Sequence, residues 1–585
     1  MIPILKKLQV LLSRRQKWHM GLLSIMMVIG AFLQVAGVSL IVQAMTMVMD
    51  VTAISQEGLV KDIYELLGGG SQKRFTILVL LALVAVILLK NFFLYIQQKL
   101  TLSFVYTNQF STSERMMKNY LRRDYEFFLN ADTAIVQRSI TSDVNNMFAL
   151  ILALLSLLSD CIVFVFLTVY CFMQDPILTV LLASVLILLL VVIKKVLKPI
   201  MYKAGEDNQM YYSGLFKWIS QTVQGIKEVK IAGKEAYFVR EYAKCGRGYV
   251  EAVQKYSLYN NIPKLLIECV CVVCMVGYIL FMVFNNVSPD AMTTSIATFA
   301  AAALILLPCV NRINNQITSI AYFEPFFMGV SNNLQDEINA ENTDFTFAAK
   351  QERRLPLRDK IEMRSITYAY PNTEKLIFDQ ANLTIPVGKS VGIVGMSGAG
   401  KSTVVDILLG LLKPQEGSLY ADGVDIMLHY REWIQNIGYI PQMIFMLDDT
   451  IRKNVAFGVP NEEASEEKIW RALREAKLDD FVRSLPNGLE TGIGERGIRL
   501  SGGQRQRIGI ARALYHDPEV MVLDEATSAL DHDTETAIMD SINQLHGKKT
   551  LIIIAHRLET IKNCDLVYRV NDGKVQVERA DGSKI

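Results

Sequence analysis

Six long apolar stretches crowd the first 312 positions of this 585-residue chain, and nothing comparable follows them. They run over 22–48, 75–100, 147–172, 177–198, 264–284 and 292–312. Each is long enough to cross a bilayer as a helix, which satisfies its own backbone hydrogen bonds where no water can. The first is too long for a signal-peptide core and reads as a retained span. Composition agrees. Hydrophobic residues make up 51% of the chain and charged ones 20%, with mean hydropathy +0.26, which excludes bulk disorder and an all-soluble chain. A net charge of +2 leaves no electrostatic footprint for nucleic acid.

Six spans put both termini on one side. The loops at 106–146 and 201–262 are rich in Lys and Arg, whereas the loops near Asp175 and Ser288 have none. The positive-inside rule therefore predicts cytosolic termini and two long cytosolic loops. Residues 1–17 form an amphipathic elbow helix, with Ile4, Leu5, Leu8, Leu11 and Leu12 at helical spacing. Each long loop reads as two helix extensions joined by a crosswise piece, expected at Tyr125–Asp132 and Tyr211–Ile219. Their aromatic residues suit either docking into a partner groove or packing between the extensions. An external amphipathic helix is expected over 59–67, ended by Gly68, Gly69 and Gly70. It either touches substrate or packs as a loop helix. Cys269, Cys271 and Cys274 read as small apolar residues of a span, with no metal set around them.

Chemistry begins after a polar linker, taken as 329–358 between a membrane domain over 18–328 and an α/β domain over 359–585. The β-branched run Val391, Ile393, Val394 precedes Gly395, Met396, Ser397, Gly398, Ala399, Gly400, Lys401, Ser402 and Thr403, and an apolar helix follows. This strand, loop and helix match the phosphate-binding pattern G-x-x-x-x-G-K-[ST]. Glycines let backbone N–H groups wrap phosphates at a helix N-terminus, Lys401 reaches the β- and γ-phosphates, and Ser402 ligates Mg²⁺. The apolar strand 520–524 ends in Asp524 and Glu525, suited to Mg²⁺ and to the attacking water respectively. His556 ends another strand and is a candidate γ-phosphate contact. Ser501, Gly502, Gly503 and Gln504 open a helix and offer a second anion site. Two such sites close on one phosphate most readily in a head-to-tail pair of domains.

The order GMSGAGKST, YIPQ, TGIGERG, LSGGQRQR, VMVLDEATSALD and IIIAHR resembles the ATP-binding-cassette transporters, and the six fused spans resemble the half-size exporters of type IV architecture. The resemblance implies a six-span helical membrane domain fused to a phosphate-loop cassette, ATP and Mg²⁺ as ligands, ATP hydrolysis coupled to transport, and a second half-transporter, taken as another copy of this chain. It further implies adenine stacking by Tyr370, a lid role for Gln442 with a Mg²⁺ contact, a cross-subunit loop at Glu495, an interface role for Asp531, and a switch role for His556. The implied location is a bacterial inner membrane.

The cargo is less legible. Residues 225–242 and 307–325 resemble PglK-type flippases of polyprenyl-pyrophosphate-linked oligosaccharides. A pyrophosphate needs cations, and Lys90, Lys264 and Arg312 lie in or at the ends of spans. Each either lines a cavity or snorkels, and Asp160 and Glu268 are possible internal partners. Leu59 and Ile63 of the external helix would meet the lipid tail. The alternatives are a broad exporter of drugs, lipids or peptides, and a cassette-gated channel or regulatory membrane protein.

Overall fold

The computed structural model describes residues 2–49, 72–174, 176–285, 289–339, 353–525, 539, 542, 544–555 and 561–579. The chain divides into two units, one of residues 1–123 and 131–344, the other of 124–130 and 345–585.

The first unit is helical. Helix α1 (Ile2–Leu11) buries Ile4, Leu8 and Leu11 and exposes Leu5. The long helices are α2 (Arg14–Met49), α3 (Gln72–Leu121), α6 (Val144–Gln174), α7 (Pro176–Gln224), α9 (Glu235–Phe284) and α10 (Pro289–Asn339). Between α3 and α6 lie α4 (Tyr125–Asn130) and α5 (Thr133–Arg138), then one π-helical turn, Ser139–Asp143. Helix α10 packs along α6 and α7, and α9 packs along α7. Polar pairs fix these contacts: Asn208 donates to the Tyr322 hydroxyl at 2.8 Å, and the rings of Tyr256 and Tyr322 stack with centroids 4.1 Å apart. Many large apolar side chains stay exposed on the outside, among them Leu89, Phe92, Leu188 and Val273. That is the surface a lipid-facing helix needs.

Five helices among the described residues are long and apolar enough to cross a membrane. The expected sixth span, 292–312, falls within α10, where most side chains up to residue 305 lie outside the described residues. The expected external helix, with Leu59 and Ile63, also lies outside them.

One crosswise piece differs from expectation. Tyr211–Ile219 continues α7 without a break, and the short helix is α8 (Ile226–Ala232). Glycine sets its limits: Gly225 precedes it, and Gly233 closes it in the left-handed region at φ 60°, which a side chain would resist. Of the two uses expected for its aromatic run, the structure shows packing between the helix extensions. Tyr212 lies 5.4 Å from Tyr249 between ring centroids, and Trp218 meets Tyr237 and Phe238 of α9 at 6.0 Å.

The second unit is α/β. A six-stranded sheet has the order β10-β9-β3-β8-β7-β6, built from β3 (Ser390–Gly395), β6 (Ile437–Ile440), β7 (Val520–Asp524), β8 (Thr550–Ile554), β9 (Leu566–Asn571) and β10 (Lys574–Arg579). The first five run parallel, and β10 is antiparallel. A second, antiparallel sheet has the order β2-β1-β4-β5, from β1 (Lys360–Ala369), β2 (Leu376–Pro386), β4 (Glu416–Ala421) and β5 (Val424–Asp425). One core lies between the sheets, with Ile361, Phe378, Val404 and Trp433, and takes in Leu355 and Leu357. The other face of the main sheet is covered by α12 (Glu466–Glu475) and α13 (Gly502–Tyr515) through Ile469, Leu473, Ile508 and Leu514. Strand β8 is buried at every residue, as a parallel strand covered on both faces must be.

Candidate nucleotide site

The parallel strands end on one edge of the sheet, where ligands of open α/β folds bind. Three of the predicted segments leave the sheet there. The glycine loop follows β3, Gln442 follows β6, and Glu525 follows β7. His556 follows β8 but, with Asp531, lies outside the described residues.

The loop from Gly395 leads into α11 (Lys401–Leu408), capped by Gly400 at φ 102°. A Cβ on Gly400 would stand 2.9 Å from Ile377 and 3.0 Å from Phe378, so sterics and dihedral both demand glycine. Met396, Ser397 and Gly398 are exposed, as a phosphate cradle must be. Lys401 is 6% exposed, and its ammonium donates to the carbonyls of Gly395 and Met396, both at 3.1 Å. The amine thus rests on the rim of the loop its phosphate partners would enter. Tyr370 shares a 2.9 Å hydroxyl contact with Thr403, which ties the proposed adenine platform to the first turn of α11.

Gln442 Nε2 donates to Glu525 Oε2 at 2.7 Å. Glu525 sits at φ 50°, a conformation that disfavours side-chain-bearing residues. Asp524 lies one residue earlier at the end of β7.

The second anion site is a capping box. Ser501 accepts from the Gln504 backbone at 3.2 Å, and the Gln504 side chain accepts from the Ser501 backbone at 2.8 Å. The bonds of Ser501 stay inside its own motif rather than reaching the Lys401 loop. The N–H groups of Gly502 and Gly503 begin a 14-residue helix, whose dipole favours an anion.

Two residues that sequence reasoning missed organise this edge. Asp406 is a carboxylate inside the apolar run VVDILL, and that break in pattern was the available signal. Burial, reinforced by nearby Asp524, raises its carboxyl to about 6. Arg512 interrupts the apolar face of α13. It donates to the Phe445 carbonyl at 2.7 Å and to the Asn454 carbonyl at 2.8 Å, and it lies 4.6 Å from the Phe457 ring centroid. Burial lowers its guanidinium to about 10. Arg512 thereby ties the segment after Gln442 to the helix that begins at Ser501.

Residues 124–130 cluster with this unit. The Tyr368 hydroxyl donates to Glu126 at 3.4 Å, and Lys413 donates to Asp124 at 3.2 Å. The Tyr125 hydroxyl is raised by burial, then by the charge of Asp406 and by Tyr370. The first crosswise helix therefore lies beside β1 and the segment that follows α11.

The candidate cargo cations have separate surroundings. The Lys90 side chain packs against Gly37, where an added Cβ would come within 3.2 Å of it. Arg312 is ion-paired with Asp160 at 2.8 Å. Lys264 is exposed on α9. All eight cysteines are free, and no cluster able to hold a metal occurs among the described residues.

Fold and site together define a phosphate-loop nucleotide-binding unit joined to a bundle of membrane-length helices. Residues 378–528 match the ABC transporter family, and residues 39–308 match the ABC transporter transmembrane region. An ATP-dependent lipid A-core flippase of Desulfotalea psychrophila is 30% identical over 463 residues, 78% of each chain. This chain therefore belongs to the ABC transporter family. The heterocyst differentiation ATP-binding protein HepA of Nostoc sp. is 32% identical over 354 residues, 60% of this chain and 56% of the relative. Against it and three further flippase relatives, the match spans between 56% and 61% of their length. The solved structure of a bacterial Atm1-family ABC exporter with ATP bound shares the fold. Its TM-score is 0.76 over 96% of this chain and 94% of that one, at 23% identity.

Proposed function

We propose that this protein is an ATP-driven flippase that works as a pair of identical chains in a bacterial inner membrane, with termini in the cytosol. The observation that carries the pairing is the division of the site. One chain offers the Lys401 loop on one segment and the Ser501 capping box on another, and the bonds of Ser501 stay within its own motif. In a head-to-tail pair, Ser501 and Gly503 of one copy face the phosphates held by Lys401 of the other.

Hydrolysis then assigns a role to each residue of the site. The Lys401 ammonium exchanges two loop carbonyls for phosphate oxygens. Glu525 polarises the attacking water once its bond to Gln442 is released, and His556 contacts the γ-phosphate. The Ser402 hydroxyl, the Gln442 amide oxygen and the Asp524 carboxylate suit Mg²⁺, a hard cation that prefers oxygen ligands and would neutralise phosphate charge.

For cargo, we read a lipid with a large polar head. Relatives named as lipid A-core flippases support the lipid class. The resemblance of 225–242 and 307–325 favours a polyprenyl-pyrophosphate-linked oligosaccharide, with Lys90, Lys264 and Arg312 as head contacts and Leu59 and Ile63 near the tail. The Arg312–Asp160 pair neutralises that residue and favours, as a second reading, a broader exporter, while the names of the relatives favour a lipid A-type cargo. Proteoliposomes containing either lipid-linked oligosaccharide or lipid A decide the matter. ATP-dependent flipping of the first supports the finer reading, flipping of the second alone replaces it, and flipping of neither removes the lipid class.

A further inference from the structure

We propose that a cavity along α7 binds the phosphate headgroup of an anionic membrane lipid, at a place distinct from the nucleotide site. The cavity measures about 830 Å³ and is lined by Val191, Lys194, Lys195, Lys198 and Lys203 of α7 with Glu324 of α10. Lys194, Lys195 and Lys198 recur at helical spacing and so share one face, with Lys203 at its far edge.

Its charge is only partly compensated. Lys198 stands 3.7 Å from Glu324, and Lys203 stands 3.3 Å from Asp207. Glu206, which also lines the cavity, stands 3.7 Å from Lys203, so four lysines meet three carboxylates and one net positive charge is left, with Lys194 and Lys195 in no ion pair among the described residues. A smaller cavity of about 120 Å³ continues past Lys194, Lys198 and Glu324 to Ile4 of α1. Helix α1 is amphipathic, and such helices lie at the level of the headgroups. The lysines therefore sit where a phosphate would be. In the preceding turns Ile187, Leu188, Val191 and Val192 are exposed, with Leu188 at 65%. A lipid bound here places its tail on that apolar strip and its phosphate among the lysines, the two-part chemistry of basic headgroup pockets. The site holds whether the lipid is cargo or a resident of the bilayer, so it does not rest on the flippase reading.

Native mass spectrometry of the full-length detergent-purified protein tests it, using phosphatidylglycerol, phosphatidylcholine and glycerol 1-phosphate as probes. Phosphatidylglycerol should remain bound, with phosphatidylcholine at least several-fold weaker and glycerol 1-phosphate unable to displace it. The double variant Lys194→Gln with Lys195→Gln should bind phosphatidylglycerol about thirtyfold more weakly, the scale expected for two basic residues at a membrane surface. Lys194→Arg with Lys195→Arg should retain it, as should Lys227→Gln, an exposed lysine of α8 outside the cavity. Undiminished binding in the double Gln variant overturns the proposal, as does equal binding of phosphatidylcholine. Displacement by glycerol 1-phosphate would mean a site for a free phosphate compound and would equally overturn the lipid.

Discussion

Gln442 and Glu525 are joined by a 2.7 Å hydrogen bond from amide to carboxylate, and the carboxylate belongs to a residue held at positive φ. The proposed base is thus engaged by the proposed lid, in a backbone conformation that costs on the order of 1 kcal/mol or more to maintain. Strain of this kind persists where surrounding structure fixes it, here the β7 ladder on one side and the Glu525 N–H bonded to Ile554 on the other.

Glu525→Gln keeps the size and loses the base. ATP turnover of the purified protein should fall at least ~10²-fold while ATP binding persists, the usual scale for lost general-base catalysis. Near-normal turnover would remove Glu525 from that role.

The divided site predicts a crosslink between copies. With exposed Cys161 and Cys269 replaced, cysteines introduced at Ser397 and at Ser501 of separate chains should join only when an ATP analogue is present. ATP hydrolysis by a strictly monomeric preparation would contradict the paired site.

Asp406 supplies a pH signature. Its folded carboxyl is raised to about 6 from an ordinary value near 3.8. The folded state therefore holds a proton that the unfolded state releases, and this contribution is present below pH 4 and lost as pH rises through 6. Asp406→Asn should raise the thermal midpoint at pH 7.5 and leave it nearly unchanged at pH 4. The gain should be about 1–2 kcal/mol, allowing for the part of the carboxyl that stays hydrated. An equal shift at both pH values would rule out the titration as the cause.

Arg512 should behave as a structural tie. Arg512→Met leaves the carbonyls of Phe445 and Asn454 without their donor, a loss of about 2–3 kcal/mol for bonds to a buried charged group. Differential scanning fluorimetry should register a clear fall, with Arg512→Lys intermediate because it keeps a donor but not the fork. A midpoint unchanged in Arg512→Met would show that the tie is not needed.

The sequence disclosed the glycine loop, the Ser501 helix start and the Asp524–Glu525 strand end because each is a local pattern with one physical use. It also located α4, where aromatic residues interrupt two helical stretches. It misplaced the second crosswise helix, because the aromatic density at 211–219 marks contact with Tyr237, Phe238 and Tyr249, whose pairing only the antiparallel course of α7 and α9 creates. Asp406 and Arg512 carried only a weak signal, since a lone charge in an apolar run acquires meaning from neighbours distant in sequence.

The short α8 lies between helices of 49 and 50 residues. At 1.5 Å per residue each is about 74 Å long, and each contains one proline in its interior, Pro199 and Pro263. Such proportions make the pair a mechanical lever. A tilt of about 4° imposed at the α8 end sweeps the far end through about 5 Å, close to one helical pitch. A displacement no larger than a side-chain rearrangement at one extremity thus becomes a stroke sufficient to exchange one row of inter-helical contacts for the next.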